Sequence, residues 1–377
     1  MPRVLHAATS MTVNGVVRSV LTLARRQREC GWDPVVLTTR HGRLSEACEK
    51  WSIPVLVDTD LYLAEKKDVS RQRALADAAV QAHPRVAALR PDLIHAHLPS
   101  AGLGIASLLA RRLDVPLVQT QHVVKLAPYD RDLMTGTDLH VITVAGAARD
   151  LLVREGVPPE RVIHIPNGVP DPADCEPGHL LPRDGRRHLV YAARLAEPKG
   201  LDTAIAAMEL LRERSGPDCP VLHVFGDGPQ SAEYRALVTD RRLDDVVVFH
   251  GEVLDVIHPR LGAAALIAPS KPRSEACPLT VLEAMASRIP VITTTVEGVT
   301  ELITDQVDGL LVAPGAPREL GEAVAYLLGN KDVADRCADA ARRKFEQRYT
   351  MEPMTRATLA FYRQALGRAG HGGASHA

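Results

Sequence analysis

Two glutamates, Glu275 and Glu283, stand with seven residues between them in the stretch S-E-A-C-P-L-T-V-L-E-A-M-A. A short apolar run, Ala264 to Ala268, precedes them and another, Val291 to Thr294, follows; both suit buried strands. Pro278 fits the first turn of a helix, where its missing N–H costs nothing. The spacing therefore predicts a helix from Cys277 or Pro278 to about Ser287, ended by Pro290. Glu275 then lies in the loop ahead of that helix and Glu283 about a turn and a half inside it, both able to face the crevice above a sheet's carboxyl edge. A helix N-terminus favours an anionic phosphate, and carboxylates beside it can accept hydrogen bonds from sugar hydroxyls. Phosphate plus sugar points to a nucleotide-sugar. Taken alone, such a pair reads equally as solvated surface charge.

Other residues carry compatible chemistry. Arg194 and Lys199 lie in a loop after the strand Leu189 to Ala193. An Arg can grip phosphate oxygens with two donors and a nearby Lys adds a compact positive charge, which suits a diphosphate leaving group; the alternative is a solvated basic loop. Gly15 follows the strand Val4 to Ala7 and opens a helix, so it either lets a phosphate approach the backbone or makes a tight turn. His95 and His97 end one strand, Asp92 to His97, and His122 follows another, Val115 to Thr120. A lone histidine is more often structural than catalytic, and His95, at strand alternation, reads as buried. Gly226 and Gly228 turn the chain after Val221 to Phe225, as a structural turn or a ligand contact. Gly251 follows Val246 to Phe249.

The elements that must hold these residues repeat. Strand, glycine loop, helix over Val16 to Ala24 and strand Val35 to Thr38 form the first unit of a doubly wound sheet, and the pattern restarts at Leu189. Between them, Pro170 to Arg187 has the composition of a linker, and Tyr62 to Arg73 that of a polar surface excursion. Helices are predicted over 318–328, 333–349 and 354–366, and a disordered tail over 370–377.

A chain of 377 residues favours two domains. A net charge of -1 leaves no global field to hold nucleic acid. Six scattered cysteines without C-x-x-C spacing argue against a disulfide framework or a zinc site and fit a cytoplasmic location. No apolar run approaches the roughly 18 residues of a membrane-spanning helix, and the start of the chain is too polar for a secretory signal. Arg18, Arg25, Arg26 and Arg28 on the first helix read as a solvated face rather than a lipid-binding one.

These motifs, in order with N-G-V-V-R-S-V, I-P-N-G-V, A-R-L-A-E-P-K-G, F-G-D-G-P and G-L-L-V-A-P-G, closely resemble the retaining family 4 glycosyltransferases of GT-B fold, including their E-x7-E signature. The resemblance covers nearly the whole chain. It implies an α/β protein of two Rossmann-like domains facing across a cleft: an acceptor-side domain over 1–168, a nucleotide-sugar domain over 187–350, and a C-terminal helix over 351–368 crossing back to the first domain. It implies transfer of a hexosyl group, such as GlcNAc or a related hexose, from a nucleoside diphosphate sugar to an acceptor hydroxyl of a small molecule, lipid or glycan, with retention. The donor is a co-substrate; no other cofactor and no metal are expected. His122, Glu275, Arg194 and Lys199 would be catalytic. Gly15, Gly251, Ala276, Cys277, Pro278, Leu279, Thr280 and Glu283 would join Arg194, Lys199 and Glu275 in holding the donor, with Glu283 on the ribose, Gly251 beside the base and His122 on the transferred sugar. Asn14 and His97 fall on the acceptor side. Cys277 reads as a small residue near the sugar rather than a nucleophile. The chain departs from the family pattern at Asn14, Ala193 and Glu297, where glycine is usual. The alternatives are a nucleotide-sugar 2-epimerase on the same fold and a non-catalytic nucleotide-sugar-binding protein.

Overall fold

The structure is a computed structural model that describes residues 1–8, 15–58, 84–97, 101–172, 180–253, 256–258, 261–273 and 275–372. The polar excursion and Asn14 lie outside the described residues. The chain divides into two compact units, one of Met1–Gly168 with Met351–Ala377 and the other of Val169–Thr350.

The first unit is built on a seven-stranded sheet in the order β3-β2-β1-β4-β5-β6-β7. Its strands are β1 (Arg3–Ala7), β2 (Asp33–Thr38), β3 (Val55–Val57), β4 (Leu93–Ala96), β5 (Leu117–Gln121), β6 (His140–Thr143) and β7 (Val162–His164), all paired in parallel. Among its helices are α1 (Gly15–Glu29), α2 (Arg43–Lys50), α3 (Ala101–Leu113), α4 (Pro128–Gly136) and α5 (Gly146–Arg154). Period-two alternation divides the strand side chains between the faces. Leu5, Ile94, Ala96, Leu117 and Val141 pack with Leu103 and Leu109 of α3 and Met134 of α4. Val4, Leu93, Val118 and Ile142 point the other way and pack with Met354, Phe361 and Tyr362 from the last helix.

The second unit carries a six-stranded parallel sheet, order β10-β9-β8-β11-β12-β13. Its strands are β8 (His188–Ala192), β9 (Val221–Phe225), β10 (Val247–Gly251), β11 (Ala265–Ala268), β12 (Val291–Thr294) and β13 (Leu310–Val312). Its helices include α6 (Leu201–Ser215), α7 (Ser231–Asp240), α8 (Leu279–Ala286), α9 (Val299–Leu302), α10 (Pro317–Gly329) and α11 (Lys331–Arg348). The described ends of the linker-like stretch belong to this unit: Asp171 takes a two-pronged contact from Arg342, and Leu181 is buried with its N–H donated to the Leu261 carbonyl. The chain then returns to the first unit through α12 (Met351–Gly372), which runs past Gly370, where the composition predicts a tail. Among the described residues no helix is long and apolar enough to cross a membrane.

Both sheets have a first strand, β1 or β8, from which the order departs in two directions. In sheets of this kind ligands bind at the carboxyl edge between that strand and its crossover neighbour, here β4 or β11.

Candidate active site

In the second unit the loops after β8 and β11 are tied together at this edge. The Lys271 N–H donates to the Pro198 carbonyl at 2.9 Å, and the Lys271 ammonium reaches Glu197 at 2.6 Å and Asp202 at 3.0 Å. Gly200, at φ 70°, sits so close to Pro269 that a Cβ would stand 1.9 Å from its carbonyl oxygen. The next loops press in similarly: a Cβ on Gly226 would stand 1.9 Å from the Ala193 oxygen, and one on Gly298 2.0 Å from the Ala276 oxygen. Gly226 and Gly228 therefore serve backbone packing, since a Cβ on Gly228 would also stand 2.3 Å from the Leu195 oxygen. Glu297 accepts the Arg273 N–H at 3.2 Å.

This lattice sets Lys199 against Glu275. The ammonium donates to Glu275 Oε1 at 2.6 Å, and Ser270 Oγ donates to the same oxygen at 2.9 Å. The backbone behind each partner is fixed too: the Tyr191 hydroxyl donates to the Lys199 carbonyl at 3.3 Å and Thr294 Oγ1 to the Ser270 carbonyl at 2.6 Å. Glu275 Oε2 has no partner among the described residues. Arg194 is exposed, and its guanidinium has no hydrogen bond or ion pair among the described residues.

Pro278 does not enter the helix. Its ψ of 122° makes it the residue before α8, which starts at Leu279, and among the described residues no side chain caps that end. The first N–H groups of α8, beginning with Leu279 and Thr280, thus lack a side-chain acceptor among the described residues. Ala276, Cys277 and Glu283 are buried. Glu275 and Glu283 consequently differ in setting, one half-buried in the loop and the other inside the unit. Gly251 holds φ 72° with open space on its Cβ side, and His250 before it stacks on Phe225 with ring centroids 4.4 Å apart.

In the first unit Gly15 is the exposed first residue of α1. The histidines meet on the sheet face shared with α1 and α12. His6 of β1 is in register with His95 of β4, and His97 follows two residues on. His97 Nε2 lies 3.0 Å from His6 Nδ1, and His97 Nδ1 lies 3.4 Å from His122 Nε2. Burial pushes the pKa of His6 and His122 down to about 4 and those of His95 and His97 well below the usual histidine value, the latter two aided by neighbouring imidazoles. All four rings are therefore neutral at neutral pH. The nitrogens of His6, His95 and His97 fall within 4.8 Å of one another, a spacing a metal ion could use, but every one of them already has a protein partner. His97 is buried with both nitrogens engaged, so it has no polar edge left for an acceptor and instead backs His122, which is half-buried.

Sequence reasoning missed Ser270, Lys271, His6, Gln27, Thr120 and Tyr362. Strand parity could have found His6 and Thr120, which share a face with His95 and His97. Gln27 and Tyr362 come from helices far apart in sequence and carry no local signal.

Two family models match consecutive stretches: Glycosyltransferase Family 4 over residues 13–171 and Glycosyl transferases group 1 over residues 176–344. The chain belongs to this family of GT-B glycosyltransferases and is a glycosyltransferase enzyme. It is similar to the alpha-D-kanosaminyltransferase of Streptomyces kanamyceticus, 28% identical over 299 residues covering 72% of this chain and 77% of the relative. It is also similar to the 2-deoxystreptamine N-acetyl-D-glucosaminyltransferase of Streptomyces fradiae, at 25% identity over 97% of this chain and 94% of the relative. Its fold matches Anabaena Alr3699/HepE, solved in complex with UDP and glucose, with a TM-score of 0.78 and 20% identity over 96% of this chain and 99% of the other.

Proposed function

We propose that this glycosyltransferase moves a hexosyl group from a nucleoside diphosphate sugar to an acceptor hydroxyl with retention of anomeric configuration. The observation that carries this reading is the Lys199–Glu275 pair at the second unit's switch point, with Arg194, exposed and without a hydrogen bond or ion pair among the described residues, on the same loop as Lys199. A diphosphate gains charge as it departs, so donors fixed beside it stabilise the transition state more than the bound ground state. Arg194 offers a two-donor fork, and Lys199 keeps further N–H donors while holding Glu275. The uncapped N–H groups of Leu279 and Thr280 add to the same field. Glu275 Oε2 takes sugar hydroxyls, Glu283 the ribose, and the backbone at Gly251 the base. Gly15 lets the phosphates approach, and His122 meets the transferred sugar. Protein cations supply the positive charge, so the reaction needs no metal.

The UDP and glucose bound by the Anabaena neighbour favour a nucleotide-sugar of that type, and the name of the Streptomyces fradiae relative favours a small polyhydroxylated acceptor over a lipid or a glycan. A thermal-shift panel of nucleoside diphosphates and their hexose conjugates tests the donor. A ligand at 100 times its dissociation constant adds about 2.7 kcal/mol to stability. A panel in which no member raises the melting temperature overturns the reading. Proton NMR of the product then reports the anomer, and turnover of donor without acceptor would instead mark an epimerase.

A further inference from the structure

His122 is one end of a continuous buried chain of hydrogen bonds. From His122 it passes to His97 at 3.4 Å and to His6 at 3.0 Å. From His6 Nε2 it runs to Gln27 Oε1 at 2.7 Å, and from Gln27 Nε2 to the Tyr362 hydroxyl at 3.2 Å. The hydroxyl meets His95 Nδ1 at 2.5 Å, and His95 Nε2 meets Thr120 Oγ1 at 2.7 Å. His6, Gln27, His95 and Tyr362 have no exposed surface.

Each interior member of this chain has one donor and one acceptor to spend on it. A neutral imidazole carries a proton on one nitrogen and a lone pair on the other, an amide donates through nitrogen and accepts through oxygen, and a phenol has a single proton. The protons can therefore run in only two senses, all one way or all the other.

The distances select between them. With the Gln27 oxygen toward His6, the 2.7 Å contact is an N–H···O bond of ordinary length and the 3.2 Å contact is another, from the amide to the phenol oxygen. The reverse sense would need a Tyr362 O–H···O bond of 3.2 Å, beyond the usual 2.5–3.0 Å for that type, and an N–H···N contact compressed to 2.7 Å. The surviving sense has Tyr362 donating to His95 and His95 to Thr120. Going the other way, His6 donates to Gln27, His97 to His6, and His122 Nε2 to His97.

We infer that Gln27, acting through His6 and His97, is a positioning residue that locks His122 in the tautomer protonated at Nε2 and so presents Nδ1 as a hydrogen-bond acceptor. His122 Nδ1 has no partner among the described residues. The group that meets it must bring its own proton, as a sugar hydroxyl does. A carboxylate or phosphate oxygen there would set lone pair against lone pair, so the site selects a neutral hydroxyl over an anionic oxygen at that contact. This selectivity rests on the proposed contact between His122 and the transferred sugar, whereas the tautomer lock does not.

The test is long-range nitrogen–proton NMR of the histidine rings in the full-length, uniformly nitrogen-15-labelled protein at pH 7.5 without ligand, with His122 assigned by loss of its signals in His122→Gln. The wild type should show a pyrrole-type Nε2 and a pyridine-type Nδ1 for His122. The opposite tautomer, or a doubly protonated ring, overturns the inference whatever any variant does. Gln27→Met removes the anchoring acceptor and Tyr362→Phe releases the amide to turn over, so each should populate both His122 tautomers. A folded Gln27→Met protein that keeps the wild-type pattern would show that Gln27 does not set it. Because the spectrum requires no donor, a failed donor panel with an intact tautomer lock would refute the proposed transfer and leave this inference standing.

Discussion

Arg194→Ala separates chemistry from folding more cleanly than any other change in the second unit. The guanidinium is exposed and has no hydrogen bond or ion pair among the described residues, so its loss should move stability by no more than about 0.5 kcal/mol. If its two donors meet the departing diphosphate, turnover should fall roughly 100-fold, equivalent to about 2.7 kcal/mol of transition-state stabilisation, with a smaller fall in donor affinity. Lys199→Met should behave differently, because Lys199 also neutralises a half-buried carboxylate at 2.6 Å. Removing the ammonium leaves Glu275 Oε1 with Ser270 alone. A hydrogen bond to a charged group is worth about 1.5 to 3 kcal/mol, so this variant should lose stability as well as turnover. For a unit of this size that is a drop in melting temperature of roughly 3 to 12 °C. Adding Glu275→Gln to Lys199→Met removes the stranded charge and should restore part of the stability without restoring turnover. Differential scanning fluorimetry and initial rates with the donor found by the panel measure both quantities. Arg194→Ala turning over like wild type would refute the assignment, as would a Lys199→Met turnover defect rescued by the second change.

The remaining predictions are shorter. Gly200→Ala places a Cβ 1.9 Å from the Pro269 oxygen at φ 70° and should cost at least about 2 kcal/mol, while Gly251→Ala, at φ 72° with open space, should cost about 1 kcal/mol; equal melting temperatures would refute the packing argument. Glu283→Gln should weaken donor binding by about 1.5 to 3 kcal/mol by calorimetry, and unchanged affinity in a folded variant would remove Glu283 from the ribose site. Stability should fall as pH drops from about 6.5 towards 4, because desolvation keeps His6 and His122 neutral in the folded state while their unfolded counterparts take up protons. Their contribution is complete above the unfolded value and is lost as pH falls to the folded value of about 4; a denaturation midpoint that stays flat between pH 7 and 5 would refute it. Chelators should leave turnover unchanged, and activity abolished by chelation and restored by magnesium would place a metal in the mechanism.

The alternation of short apolar runs with amphipathic stretches made most sheet strands legible, from Val4–Ala7 to Val291–Thr294, because fully covered parallel strands must be apolar on both faces. Helices without a strong apolar stripe did not stand out, and α7, S-A-E-Y-R-A-L-V-T-D, buries only Tyr234 and Val238. The paired acidic and basic residues were legible as types, but their partners were not. Nothing local in A-R-L-A-E-P-K-G says that its lysine will meet a glutamate 76 residues on; that follows from β8 and β11 lying side by side, a long-range consequence of strand order. The Pro278 boundary failed by one residue because the proline's fixed φ suits a helix-preceding position as well as a first turn, and ψ decides.

The same topology presents two kinds of polar chemistry at its carboxyl edges, and burial explains the division. Around β8 and β11 Arg194 is exposed, and Lys199 and Glu275 are half-buried and paired with each other, a setting that suits a field acting on a diphosphate. Around β1 and β4 the sheet face is covered by α1 and α12, and His6, His95 and Tyr362 have no exposed surface. A charge there would be costly, so the groups that persist can be neutral and still fully hydrogen-bonded, which imidazole, amide and phenol all manage. A neutral chain gives up charge but gains direction, since each member dictates the proton position of the next. Each unit by itself thus matches the role proposed for it, charged donors suited to a leaving group in the second and an uncharged, oriented acceptor suited to a hydroxyl in the first.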